Sequence, residues 1–344
     1  MCKSKGNAML LDRIGMTQPI VQAPMAGVTT PALAAAVANA GGLGSLGVAA
    51  MDAATAGAEV QQTRALTDRR FNVNVFCHRP PHRDAAKEAA WLASLAPDFA
   101  RFGASAPESL QDGYRPFALD PGMLAMLLAE MPGVVSFHFG LPPADQIAAL
   151  KDSGAVLLGS ATNPEDALRI ADAGLDGIVA QGWQAGGHRG VFDDNGPDAR
   201  LETLALLAAL KDLGLPLIAA GAIMAKADVQ AALAAGAVAA QCGTAFLVAD
   251  EAGTSPAHRA ALSGGQTRMT RAISGRPARG VENLISSRDD SAAPDYPLPY
   301  SALKALHGLA AKAGENGYGP FWAGTGCAQA RPGTAAEILE RLTP

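Results

Sequence analysis

The sequence predicts an α/β fold, a (β/α)8 TIM barrel carrying a second, smaller helical unit. Three observations predict it. Of eight short strand-like stretches, 71–77 (FNVNVFC) alternates in polarity, and most of the others are apolar runs, as expected of strands buried on both faces in a parallel sheet. Helix-forming stretches separate most of them, and eight such units favour a closed barrel over an open sheet. A weak internal repeat links "LAAAVANAGGLGSLG", "ALRIADAGLDGIVAQG" and "VQAALAAGAVAAQCG". In each, a helix stops at Gly and an apolar strand follows that ends at another Gly.

The first strand is read in Pro19–Met25, ahead of a helix opened by Pro31 with Thr29 or Thr30 as its cap. The second strand is Leu43–Val48. Gly42, Gly44 and Gly47 match GxGxxG by letter, but a helix precedes them and they fall within the strand. That context is wrong for a dinucleotide fingerprint. Residues 52–66 read as helix and 71–77, FNVNVFC, as the third strand. Residues 78–133 are too long for an ordinary loop and read as an insertion with helices near 84–96 and 121–130. Strands four to eight follow at 134–140, 155–160, 177–181, 216–222 and 237–246. Between them lie helices at 143–152, from Pro164 to Gly174, at 201–212 and at 225–235. The barrel is thus expected over 9–250. Residues 251–344, with helices near 256–263, 300–313 and 335–342, are expected to join the insertion as a substrate-side lid. Arg268, Arg271, Arg276 and Arg279 read first as a solvated face, and alternatively as a lid or anion contact.

Composition narrows the function. Lys+Arg is 27 and Asp+Glu is 32 in 344 residues, a net charge of −5. That balance argues against nucleic acid or an anionic membrane as the main partner. No apolar run reaches the ~18–20 residues of a membrane span. The N-terminal MCKSKGNAM lacks the apolar region of a secretory signal and is set aside as a leader, so a cytoplasmic location is expected. Cys2, Cys77, Cys242 and Cys327 are widely spaced, which indicates neither a disulfide framework nor a zinc site.

In a barrel of this kind the chemistry lies at the C-terminal ends of the strands. Those ends carry Ala23, Pro24 and Met25, then Asn74, His138, Gln181, the loop with Gly186, Gly187 and His188, then Gly221, and finally Gln241, Cys242, Gly243 and Thr244. Paired carboxylates are missing, which excludes the usual glycosidase arrangement. No His/Asp/Glu cluster has metal-ligand spacing, so no metal is expected. The glycines at the ends of strands seven and eight suit a phosphate, and the amides suit a flavin edge that both donates and accepts. Paired glycines let a flat ligand approach the main chain, and His188 beside them can accept a proton. Taken alone, the loop reads equally well as a solvated glycine-rich turn.

The ordered set "QAPMAGVTTPALAAAVANAGGLGSLG", "FNVNVF", "VSFHFGLP", "AQGWQAGGHRG", "AAGAI", "GTAFL", "TRAISGRPARG" and "GYGPFWAG" resembles the class I nitronate monooxygenases, formerly 2-nitropropane dioxygenases, from about Pro19 to Leu342. The resemblance implies FMN held by Asn74, Gln181, Gly186, Gly221 and Gln241–Thr244, with backbone help from Ala23–Met25. It implies His188 as catalytic base and His138 in the substrate pocket. The implied reaction takes a nitronate such as propionate 3-nitronate, or a nitroalkane, with O2 to a carbonyl compound and nitrite. Alternatives are an NAD(P)H-dependent reductase of enoyl thioesters or quinones, and a non-catalytic flavin-binding barrel. Oligomeric state is left open, a homodimer included.

Overall fold

The computed structural model describes residues 10–344; the leader set aside above, with Cys2, lies outside them. The barrel strands are β1 (Ile20–Gln22), β2 (Ser45–Gly47), β3 (Asn72–Phe76), β4 (Val134–His138), β5 (Val156–Ala161), β6 (Gly177–Gln181), β8 (Leu217–Ala220) and β9 (Ala239–Cys242). They pair in parallel in the order β1-β9-β8-β6-β5-β4-β3-β2. A parallel bridge between Val21 and Leu43 joins the two ends and closes the ring. The expected barrel is therefore present.

Strand alternation divides the apolar residues between two cores. Val73, Val75, Phe137, Leu157, Ile178, Ala219 and Ala240 point outward and pack under the helices. Val134, Val156, Leu158, Val179, Ile218 and Ala239 point inward, joined by Leu10 and Ile14 from the chain ahead of β1. The same inward rows turn polar toward their C-terminal ends: Val134 gives way to Ser136 and His138, Leu158 to Ser160, and Val179 to Gln181. One end of the barrel is filled with apolar side chains, and the other is lined by polar ones.

The helices on the barrel are α1 (Pro31–Asn39), α2 (Ala53–Leu66), α4 (Pro121–Glu130), α5 (Ala144–Asp152), α6 (Pro164–Asp172), α7 (Thr203–Leu210) and α8 (Lys226–Ala234), with α3 (Ala85–Arg101) in the insertion. Their starts follow local chemistry. Thr30 accepts from Leu33 N and Asn163 from Asp166 N, each just before a proline at the first helical turn. Gly174 (φ 74°) and Gly236 (φ 98°) then end α6 and α8 in the left-handed region that glycine enters without a Cβ clash.

Several expected boundaries move. The eighth strand stops at Cys242, and a 3-10 helix, Thr244–Val248, replaces the rest of the expected stretch. Within the insertion, α4 packs against α2 on the barrel, whereas α3 packs Trp91, Leu92, Leu95 and Phe99 against α10 (Pro299–Lys312). The helix at 335–342, expected beside the insertion, is α11 (Ala335–Leu342), after α9 (Pro256–Ala261). Its Ala335, Ile338, Leu339 and Leu342 pack in the outer barrel core against α1 and α8.

The sequence reading missed a second sheet. β10 (Thr267–Thr270) pairs antiparallel with β11 (Ala278–Val281), and β11 pairs with β7 (Gly187–His188). Ala278 faces His188 and Arg279 faces Gly187 in that register. The glycine-histidine loop is thereby held as an edge strand rather than left as a turn.

Candidate active site

Every residue expected at the strand ends lines one cavity of about 470 Å³ at the C-terminal mouth of the barrel. Ala23–Met25, Asn74, His138, Gln181, Gly186–His188, Gly221 and Gln241–Thr244 all reach it. The Cys242 side chain is the partial exception. Next to inward Gln241 it packs in the outer core, 1% exposed, and burial pushes its thiol pKa up.

The amides do not all do the same work. Gln181 Nε2 donates to the His188 carbonyl at 2.9 Å, and its Oε1 accepts from Gly190 N at 2.8 Å. Gln181 thus fixes the histidine loop from the barrel side. Asn74 Nδ2 donates to Ser136 Oγ at 2.8 Å, while among the described residues its Oδ1 accepts nothing. That oxygen is free to accept a further hydrogen bond. His138 Nε2 lies 3.3 Å from the His188 carbonyl, so one ring nitrogen of His138 also serves the loop.

Two arginines tie the loop down. Arg189 is fully buried; it pairs with Asp198 at 2.8 Å and donates to the carbonyls of Gln181 and Gly182 at 3.2 and 3.0 Å. Arg276, 2% exposed, faces Asp194 at 3.5 Å, donates to the carbonyls of Arg189 and Val191, and lies 4.2 Å from the Phe139 ring centroid. This corrects the solvated-face reading for Arg276 and Arg279, while Arg268 is exposed and Arg271 half-buried. Arg276 and Arg279 are buried, and Arg279 donates to the Trp183 carbonyl at 3.1 and 3.2 Å. Gly186 is needed for close packing: a Cβ there would lie 2.5 Å from backbone atoms of Ala323 and Gly324.

The wall facing the barrel is aromatic and was not expected. The His188 ring centroid lies 5.5 Å from Tyr296, 5.2 Å from Trp322 and 5.7 Å from Phe139. Tyr300, Lys304 and His307 reach the cavity from α10, and Trp322 Nε1 donates to Tyr300 Oη at 3.1 Å. These residues lie far along the chain from the strand ends, and only the "GYGPFWAG" motif hinted at them. Ser274 was missed too; its Oγ is 2.9 Å from His188 Nε2.

Burial, aided by the Arg276 charge, lowers the His188 pKa to about 3. Burial lowers His78, His138 and His258 to about 4. All four imidazoles are neutral at pH 7, the form that accepts a proton. The unfolded chain takes up protons near pH 6.5, before the folded one does. Stability from these histidines is therefore complete above pH 6.5 and lost as pH falls toward 4. The melting temperature is expected to hold between pH 8 and 7 and to drop between pH 6.5 and 4.5; a flat profile over the lower window contradicts these burials.

The family model described as nitronate monooxygenase matches residues 7–344. The chain belongs to the nitronate monooxygenase family. It is 53% identical to a nitronate monooxygenase of Paraburkholderia phytofirmans, covering 99% of this chain and 96% of that one. It is 49% identical to the nitronate monooxygenase of Pseudomonas aeruginosa, covering 96% of each. A nitroalkane oxidase from Streptomyces ansochromogenes has the same architecture, with a TM-score of 0.91 and 41% identity over 97% of this chain and 96% of that one. Among the described residues no group of three or more His, Cys, Asp or Glu could hold a metal ion, and no helix is long and apolar enough to cross a membrane.

Proposed function

We propose that the cavity holds FMN, and that the enzyme oxidises alkyl nitronates with dioxygen to a carbonyl compound and nitrite. The observation that carries this reading is the convergence of the strand-end amides, glycines and His188 on one cavity. The donor set fits the cofactor. Among the described residues the N–H groups of Gly221 and Ala222, after β8, and of Gly243 and Thr244, after β9, have no backbone acceptor across the fold. Such N–H groups suit a phosphate. Asn74 Oδ1 is an open acceptor for a ring N–H.

Bound FMN supplies the electron acceptor and the route to dioxygen. The chain supplies the rest. His188, neutral, takes the α-proton when a neutral nitroalkane is offered. Burial pushes the phenol pKa values of Tyr296 and Tyr300 up, so both stay protonated and can donate to the nitro oxygens. Phe139, Tyr296 and Trp322 screen the imidazole from bulk water.

Lys304 lies at the exposed side of the cavity, 4.9 Å from the Tyr114 ring and 5.5 Å from the Tyr300 ring. Among the described residues it has no carboxylate partner, which leaves its charge for an anionic tail of the substrate. Lys304→Met is expected to raise KM for propionate 3-nitronate about tenfold, the scale of one charge-assisted contact. KM for ethyl nitronate should barely move; equal effects on both contradict the assignment.

Anaerobic mixing tests the reaction. Flavin absorbance is expected to bleach with a nitronate and to persist with NADH or NADPH. Rapid bleaching by a nicotinamide, with none by the nitronate, would make the chain a reductase. Persistence with all three would make it a non-catalytic flavin binder.

A further inference from the structure

We infer that Ser274 is a positioning residue that decides which nitrogen of His188 carries the proton, leaving Nδ1 as the basic atom toward the cavity. The inference rests on the reading of His188 as the base. Ser274 is fully buried, and its Oγ lies 2.9 Å from His188 Nε2. The same Oγ lies 3.3 Å from the Arg276 carbonyl and 3.4 Å from Arg276 N.

One hydroxyl hydrogen must be shared among these neighbours. If it pointed to His188 Nε2, the Arg276 carbonyl would lose its one donor among the described residues. If it points to that carbonyl, Oγ accepts from both Arg276 N–H and His188 Nε2–H, and every contact pairs a donor with an acceptor. Buried backbone groups are rarely left unpaired, so the second arrangement wins. His188 Nε2 then bears the hydrogen. Among the described residues Nδ1 has no hydrogen-bond partner, and it holds a free lone pair. The main chain supports the same ring: its carbonyl is held by Gln181 and His138, and its strand by Ala278. A proton taken at Nδ1 would make the ring cationic, and Ser274 Oγ, as acceptor from Nε2–H, would stabilise that charge. The local turn at Ser274–Arg276 therefore acts on the chemistry through the imidazole without touching substrate.

The test reads the tautomer directly. Long-range proton–nitrogen correlation spectra are recorded on the holoprotein with nitrogen-15 histidine, and the His188 signals are identified by their loss in His188→Asn. Near pH 7 the native ring is expected to show Nε2 protonated and Nδ1 bare. In Ser274→Ala the single tautomer should give way to a mixture, with kcat on neutral nitroalkanes falling about tenfold to a hundredfold, the scale seen when a group orienting a metal-bound imidazole is removed. Ser274→Thr, which keeps the hydroxyl, should restore both. A native Nδ1–H tautomer overturns the proposal whatever the variants do. So does a Ser274→Ala protein in which either the tautomer or the nitroalkane rate is unchanged. The failure of the base reading is separate: it shows as a His188→Asn enzyme that still turns over neutral nitroalkanes.

Discussion

Replacing His188 with Asn is expected to lower kcat/KM for nitroethane by about a hundredfold to ten-thousandfold, the range of a positioned general base. Flavin content should be unchanged, and turnover of ethyl nitronate, which has already lost its α-proton, should fall less than tenfold. The reasoning is geometric. His188 sits on an edge strand whose carbonyl is fixed by Gln181 at 2.9 Å, so its ring is held with little freedom at the cavity. Its pKa, lowered to about 3, keeps it neutral across the working range. The rate on nitroethane should therefore show no acid limb from His188 above pH 5. Oxygen uptake with the two substrates checks the split; equal losses on both would remove the base role.

The second large effect is structural. Arg189→Ala is expected to destabilise the protein by about 3–5 kcal/mol, the cost of breaking a buried ion pair from one side. The guanidinium is fully buried and holds Asp198 at 2.8 and 3.1 Å. It also satisfies the carbonyls of Gln181 and Gly182, where β6 hands over to the histidine loop. Removal strands a partly buried carboxylate and two carbonyls at once. Arg189→Lys should recover little, because an ammonium cannot span a carboxylate and two carbonyls in a planar fork. Urea unfolding of the two variants measures this; a loss below about 1 kcal/mol in Arg189→Ala would mean water satisfies those groups.

The barrel and its rim were legible because they rest on local signals. Apolar strands, proline starts and glycine stops are written in short windows, and strand alternation carries Asn74, His138 and Gln181 to one mouth. What escaped depends on contacts across long separations. Arg276 and Arg279 look like solvated charges until the carbonyls of Val191 and Trp183, more than eighty residues earlier, are placed beside them. "TRAISGRPARG" contributed to the resemblance without revealing that its Ser274 meets His188 or that its flanks form β10 and β11. Both strands are four residues long and only part apolar, too short for a period to show. Tyr296, Tyr300 and Trp322 reach the cavity from beyond the barrel strands, and only "GYGPFWAG", around Trp322, hinted at that wall.

The most direct test of the account is the identity and amount of chromophore released when the purified protein, first saturated with flavin, is denatured. The cavity at the barrel mouth predicts FMN at one per chain, with Asn74→Ala weakening its retention. A protein that returns no flavin after saturation, or releases it in far less than equal amount, would contradict the assignment of that cavity.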